Sequence, residues 1–175
     1  QIMWTPEDKQ IQTSQMMTFM HFVNKRYNLS LRDYNQLYNW SIEKATDFWG
    51  CFWEHSDIIH HTPFSNVVDN IHRMPGAKWF EGATLNFAEN LLRYQDEKVA
   101  ICFYGEDGNH VSLTYKELYG KVTRLSNSLR KIGINKNDRV AGFMPNIPET
   151  IIAMLATSSI GAIWTACSPD FGIKG

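Results

Sequence analysis

The sequence predicts an α/β protein. A helical N-terminal extension over residues 1–95 leads, over 96–175, into the first part of an open, mostly parallel sheet with packed helices. Three observations predict this. From Arg139 to Cys167 a strand, a tight turn, an apolar helix and a second strand follow one another, the repeating unit of a parallel sheet. The first 95 residues carry amphipathic helical stripes instead. Composition also changes near Asp96, because five of the six tryptophans and five of the six histidines precede it.

Met16, Phe19, Met20, Val23 and Tyr27 recur at helical spacing. Ser30, with Asp33 three residues later, signals a turn into a second stripe of Tyr34, Leu37 and Trp40. Ile42, Ala45, Phe48, Trp49 and Phe52 form a third. From Ser56 to Ala83 no period holds. Pro63, Pro75, Gly76 and Gly82 punctuate that stretch, which predicts a long wrapping loop. Asn86, with Glu89 three residues on, predicts the next helix start.

Beyond Asp96, Val99–Tyr104 predicts a strand, residues 105–109 a turn, and Val111–Leu113 the partner strand of a hairpin. Thr114 and Glu117 form a capping pair for a helix whose face is Tyr115, Leu118, Val122, Leu125, Leu129 and Ile132. Gly133 ends that helix as a left-handed cap. Arg139–Met144 predicts a strand. Asn146 caps the following helix, with Pro148 in its first turn and Glu149 three residues after the cap. Ile151, Ile152, Met154, Leu155 and Ile160 make this helix apolar on more than one side, as packing on a sheet requires.

A length of 175 residues allows one domain, or one and part of another. A net charge of −1 provides no field for nucleic acid or an anionic membrane. No apolar run approaches the ~20 residues of a membrane span. The opening, residues 1–8, lacks the basic and apolar regions of a secretory leader. Cys51, Cys102 and Cys167 are widely spaced and odd in number, which suits buried free thiols in a reducing compartment. The expected location is the cytoplasm.

There is no P-loop, G-x-G-x-x-G, C-x-x-C or H-E-x-x-H. His55, His60, His61 and His72 match no common zinc spacing and are expected to pack or hydrogen-bond within the loop, so no metal is expected. Cys167 or Ser168 as a nucleophile would need a base and an oxyanion site, and neither can be assigned. Two segments have both a structural and a functional reading. Residues 82–90 combine a flexible approach with a strong helix cap, whatever else they do. Ser168-Pro169-Asp170-Phe171-Gly172 is either an ordinary strand exit or one wall of a ligand cleft. There Pro169 stops the ladder, Asp170 presents a charge, and Gly172 permits close backbone approach.

Residues 79–90, Trp79-Phe80-Glu81-Gly82-Ala83-Thr84-Leu85-Asn86-Phe87-Ala88-Glu89-Asn90, resemble the opening signature of acyl-CoA synthetases of the acetyl-CoA synthetase type. Arg139-Val140-Ala141, Met144-Pro145-Asn146-Ile147-Pro148-Glu149, Ala153–Ala156 and Ile160-Gly161-Ala162 resemble the first sheet unit of the adenylate-forming domain. Trp164 to Gly172 is similar to the acetoacetyl-CoA synthetase branch of that superfamily. Asp170 stands where the acetate-using relatives have glycine.

The resemblance implies an incomplete adenylate-forming domain from the N-terminal part of a longer enzyme. It implies the AMP-forming ligation of acetoacetate to CoA, with ATP, magnesium and CoA as cofactors. It places the phosphate loop, the nucleotide contacts and the catalytic lysine downstream, so no catalytic residue is expected in this chain and the piece alone is expected to be inactive. Ser168, Asp170, Phe171 and Gly172 are implied on the CoA side. The expected partners are the small acid and the remaining C-terminal portion of the same enzyme, with no nucleic acid and no membrane. An acetyl- or propionyl-CoA synthetase is the nearest alternative. A non-catalytic binding or assembly module is an alternative of another class, and a flavodoxin-like redox domain would lack its phosphate loop.

Overall fold

The computed structural model describes residues 3–172, so Gln1 and Ile2 of the opening segment lie outside the described residues. The chain divides into two compact units, Gln1–Thr84 and Leu85–Gly175. The division falls ahead of the compositional change at Asp96, because the helix that begins after Asn86 packs into the second unit.

The first unit holds four helices, α1 (Asp8–Gln12), α2 (Gln15–Tyr27), α3 (Tyr34–Glu43) and α4 (Ala45–His55), then two short antiparallel strands, β1 (Asn66–Val68) and β2 (Trp79–Glu81). Ser14 caps α2 by accepting from the Met17 amide at 3.2 Å, and Asp33 caps α3 by accepting from the Gln36 amide at 2.9 Å. The first two stripes supply Phe19, Met20, Val23 and Leu37 to a core completed by Cys51. The third departs from expectation: Ile42 belongs to α3 and is exposed, Trp49 and Phe52 are exposed, and α4 buries Cys51 and Trp53 instead. Phe19 meets Phe48 and Phe52 edge to face, with centroids at 5.6 and 5.8 Å.

Two elements escape the periodicity. α1 has only five residues and is set by Glu7 and Gln10 closing a capping box. β1 and β2 lie inside the expected loop, and strands of three residues are too short to alternate visibly. Asp69 closes the turn region between them. Its carboxylate accepts from the Asn70 amide at 2.7 Å, the Lys78 amide at 2.8 Å and the Arg73 guanidinium at 2.8 Å. The Lys78 amide leads in holding that carboxyl below its ordinary range.

The second unit holds α5 (Phe87–Leu91), β3 (Val99–Tyr104), β4 (His110–Thr114), α6 (Tyr115–Lys131), β5 (Arg139–Phe143), α7 (Pro148–Ser159) and β6 (Ile163–Cys167), ending in one 3-10 turn at Pro169–Phe171. β3 and β4 form the expected antiparallel hairpin, and β5 and β6 the expected parallel pair. Thr114 and Glu117 form the expected capping box at the start of α6.

Asn86 does two jobs at once. Its side-chain oxygen accepts from the Glu89 amide at 3.1 Å, capping α5. Its amide nitrogen donates to the Ser158 carbonyl at 3.0 Å and to that of Ser159 at 3.4 Å, at the C-terminal end of α7. α5 is thereby pinned where Ala88 and Leu92 join Leu113, Leu118, Val122, Ile152, Leu155 and Ala156 in one core.

The α6 face differs from the expected one. Leu118, Val122 and Ser126 are buried, while Leu125 and Leu129 are half-buried and Ile132, beyond the last turn, is 74% exposed. The buried line follows i, i+4, i+8 because α6 packs chiefly along α7. Ser126 suits that line, since it is small and its hydroxyl donates to the Thr123 carbonyl at 3.0 Å. The thiols also differ from expectation. Cys51 is buried and Cys167 half-buried, but Cys102 on the β3–β4 hairpin is exposed.

Tyr27 packs against Trp40. Burial first, then the Asp47 charge, pushes its phenol up to about 12.

Two predictions follow from this packing. Asn86→Asp keeps the cap on α5 but loses both donors to α7 and sets a carboxylate against its carbonyls, so a loss of about 1–3 kcal/mol is expected. Leu118→Ala should cost about 2–5 kcal/mol and Leu125→Ala clearly less; urea denaturation measures all three, and equal costs at Leu118 and Leu125 would contradict the packing. The second concerns alkali. Tyr27 has a folded value near 12 against 10.0 for the free phenol. Its contribution is therefore complete below pH 10.0 and is lost as pH climbs to about 12. Denaturation midpoints should fall across that window, and fall less in Tyr27→Phe; identical slopes would remove Tyr27 as the cause.

Candidate functional site

β5 and β6 are parallel neighbours in register from Arg139↔Ile163 to Phe143↔Cys167. The ladder runs one bond further, with the Met144 amide donating to the Cys167 carbonyl at 3.2 Å. The two strand exits therefore leave the sheet side by side at its carboxyl edge, the position where open parallel sheets hold ligands.

The first exit is Met144-Pro145-Asn146-Ile147. The Thr150 hydroxyl folds back to donate to the Pro145 carbonyl at 2.7 Å, and the Thr150 amide donates to the Ile147 carbonyl at 3.0 Å. Ile147, not Asn146, is the cap residue of α7, and no side chain caps this end. Pro148 already occupies the first helical position, which leaves Asn146 one residue too early; it lies exposed on the exit loop.

The second exit holds the residues that the sequence singled out. Ser168 is half-buried, and Asp170, Phe171 and Gly172 are exposed, Phe171 by 62%. The Ser168 hydroxyl donates to Asp170 Oδ2 at 3.0 Å and accepts from the Asp170 amide at 3.4 Å. The Phe171 amide donates to the Ser168 carbonyl at 3.2 Å. The turn is thus closed by its own hydroxyl, and the Asp170 carboxylate is engaged within it. Gly172 takes φ 61° and ψ −170°, a region open essentially to glycine alone.

One feature of the site had no sequence signal. A Cβ on Gly142 would lie 2.4 Å from Cη2 and 2.8 Å from Cζ2 of Trp164, and 3.3 Å from the Met144 sulfur. The indole occupies the space that any larger residue at 142 would need.

The histidines do not converge. His55 lies against Phe19 and Phe22, at 5.2 and 5.4 Å. His60 sits beside Trp53 at 5.6 Å, with Nδ1 on the Ile58 carbonyl at 3.0 Å. Cys167 Sγ donates to the Ser168 carbonyl at 3.6 Å. Among the described residues no three His, Cys, Asp or Glu side chains gather to hold a metal ion, and no helix is long and apolar enough to cross a membrane.

The family model described as AMP-binding enzyme matches residues 87–174, and the one described as Acetyl-coenzyme A synthetase N-terminus matches residues 34–91. An acetoacetyl-coenzyme A synthetase of Rhizobium meliloti is 44% identical over 99% of this chain, which covers 26% of that protein. A malonamoyl-CoA synthetase of Penicillium aethiopicum is 42% identical over 93% of this chain and 24% of its own length. The solved acetoacetyl-CoA synthetase of Streptomyces lividans superposes with a TM-score of 0.88 at 35% identity, over 99% of this chain and 27% of that one. The chain thus spans about a quarter of the length of the curated relatives it matches.

The turn geometry makes a local prediction. Ser168→Ala should leave the β6 amides as slow to exchange with deuterium as before, while the Asp170 amide exchanges several-fold faster. Unchanged exchange at Asp170 would show that the hydroxyl does not close the turn.

Proposed function

The chain belongs to the AMP-binding enzyme family, and from that membership we propose that it is the N-terminal quarter of an ATP-dependent acetoacetyl-CoA synthetase. The observation that carries this is the likeness to acetoacetyl-CoA synthetases across virtually the whole chain, in sequence and in fold alike. The proposed reaction has two steps. A carboxylate oxygen of the acid attacks the α-phosphorus of ATP and pyrophosphate leaves. The CoA thiol, losing its proton, then attacks the acyl carbon, and AMP departs with the bonding electron pair. Adenylation thus replaces a poor leaving group by a good one. Magnesium, when bound, supplies charge neutralisation at the phosphates. The described residues offer no set of donors for it, so no step here runs through it.

In this reading, residues 87–174 open the adenylate-forming domain and the helical extension precedes it. Ser168, Asp170, Phe171 and Gly172 line the CoA side of the carboxyl-edge cleft. The hydrogen bond from Ser168 to Asp170 supports this by giving the wall a defined turn at the strand exit. Three cysteines without a disulfide suit a reducing compartment, the cytoplasm.

The substrate class can be narrowed. Acetoacetate and malonamate, the acids implied by the names of two relatives, each carry a carbonyl one methylene from the carboxylate, and differ by a methyl against an amino group. That shared shape supports a short acid with a 3-carbonyl group over acetate or propionate. Acetate remains the second reading, favoured by the match to the acetyl-coenzyme A synthetase N-terminus.

The test uses the full-length enzyme that carries this sequence. Supplied with ATP, CoA and magnesium, it should release pyrophosphate and AMP with acetoacetate at a kcat/KM at least ~10-fold above that with acetate. Residues 1–175 alone should release none above background. Preference for acetate would replace the reading, and turnover by the isolated chain would show that the chemistry lies within it.

A further inference from the structure

The feature with no sequence signal, the indole on Gly142, bears on how the cleft is held. Trp164 pairs across the ladder with Val140, and Gly142 pairs with Ala166. The indole therefore does not lie over its own partner. It reaches diagonally across the pair, two residues toward the carboxyl edge, and rests on bare glycine backbone. The Met144 sulfur crowds the same point from the next residue on that face. Met144 and Cys167 are in turn the residues whose backbone bond closes the ladder where both exits leave. The ring thus reaches along β5 to Gly142, two residues before Met144, where the first exit loop begins. A strand interior is weakened by glycine, yet here glycine is what admits the ring.

We propose that Trp164, seated on Gly142, is a positioning residue for the cleft at the carboxyl ends of β5 and β6, a role that rests on the CoA-side reading of that cleft. The indole sets the angle at which Met144–Ile147 and Ser168–Gly172 diverge, and with it the placement of the wall that meets CoA. The Phe171 amide is held by the Ser168 carbonyl within the turn, so the placement of this wall follows the strand that delivers Ser168. Two substitutions act on the contact in opposite ways. Gly142→Ala puts a methyl where the ring lies and forces the indole off its seat. Trp164→Phe removes the outer ring atoms Cη2 and Cζ2 and makes room for that methyl. The pair should therefore behave as lock and relief.

The experiment measures KM for ATP, acetoacetate and CoA separately in the full-length enzyme, together with CoA affinity by calorimetry and the thermal midpoint. Four forms are compared with wild type: Gly142→Ala, Trp164→Phe, the double variant, and Asp170→Ala. Gly142→Ala is expected to raise KM and Kd for CoA ~10-fold or more, since misplacement by an ångström can cost up to 10²-fold. The terms for ATP and acid should move far less. The double variant should recover most of that loss, whereas a merely structural defect would move the ATP and acid terms and the thermal midpoint together with the CoA term. A CoA term unchanged in Gly142→Ala but altered in Asp170→Ala overturns the positioning role while leaving the cleft reading intact. A CoA term unchanged in both overturns the cleft reading and the role with it. A rise in Gly142→Ala that Trp164→Phe does not relieve also overturns the role, because the effect would not run through the ring. If Gly142→Ala fails to fold, Trp164→Phe alone decides: an unchanged CoA term at an unchanged thermal midpoint overturns the role, and a raised one supports it.

Discussion

The second unit depends on one primary amide. Asn86 accepts at the start of α5 and donates at the end of α7, so a single side chain satisfies orphan groups at two helix ends of opposite polarity. Aspartate could accept but not donate, and serine lacks the reach to do both. α5 is only five residues long and has little stability of its own. Its place in the core comes from that amide and from Ala88 and Leu92, which are 0% and 7% exposed. With α5 fixed, α7 gains a neighbour beside α6 and the sheet. The same helix then governs how β5 and β6 are presented, because it is the crossover between them.

The first unit is organised by rings more than by branched aliphatics. Phe48 touches Phe19, Trp40, Trp49 and Phe52, and Trp53 touches Phe64 and Phe80. Edge-to-face contacts are directional, so such a core specifies orientation as well as burial. That explains how an irregular segment with two very short strands keeps a defined shape. Asp69 contributes the polar counterpart, gathering two backbone amides and a guanidinium around one carboxylate.

Most of the architecture was legible because its period was strong and its punctuation local. Arg139 to Cys167 reads as strand, helix and strand from apolar runs of the right length, and Thr114 with Glu117 announces its helix by chemistry three residues apart. The failures have two causes, short elements and caps decided within a few residues, and contacts that were not local. Asn146 looks like a cap until Pro148 fixes where the helix begins. Ser126 looks like a surface residue until α7 approaches along its side of α6. At the candidate site, the exit at Ser168–Gly172 was visible as Pro, Asp and Gly after a strand. The seating of Trp164 on Gly142 was not, since it joins residues far apart in sequence and leaves glycine looking like a flaw in a strand.

Parallel strands are ordinarily covered on both faces, yet here Phe143 is 68% and Ile163 48% exposed. Beyond the catalytic question, this matters for biogenesis. In a protein about four times this length, of which this chain spans 26% of a relative, the strands would emerge from the ribosome well before most of the polypeptide. At ~5–20 residues per second the nascent chain would hold out sticky, unpaired backbone edges for tens of seconds. Holdase-type chaperones bind such surfaces, so this parallel pair is a stretch that they would engage in such a nascent chain.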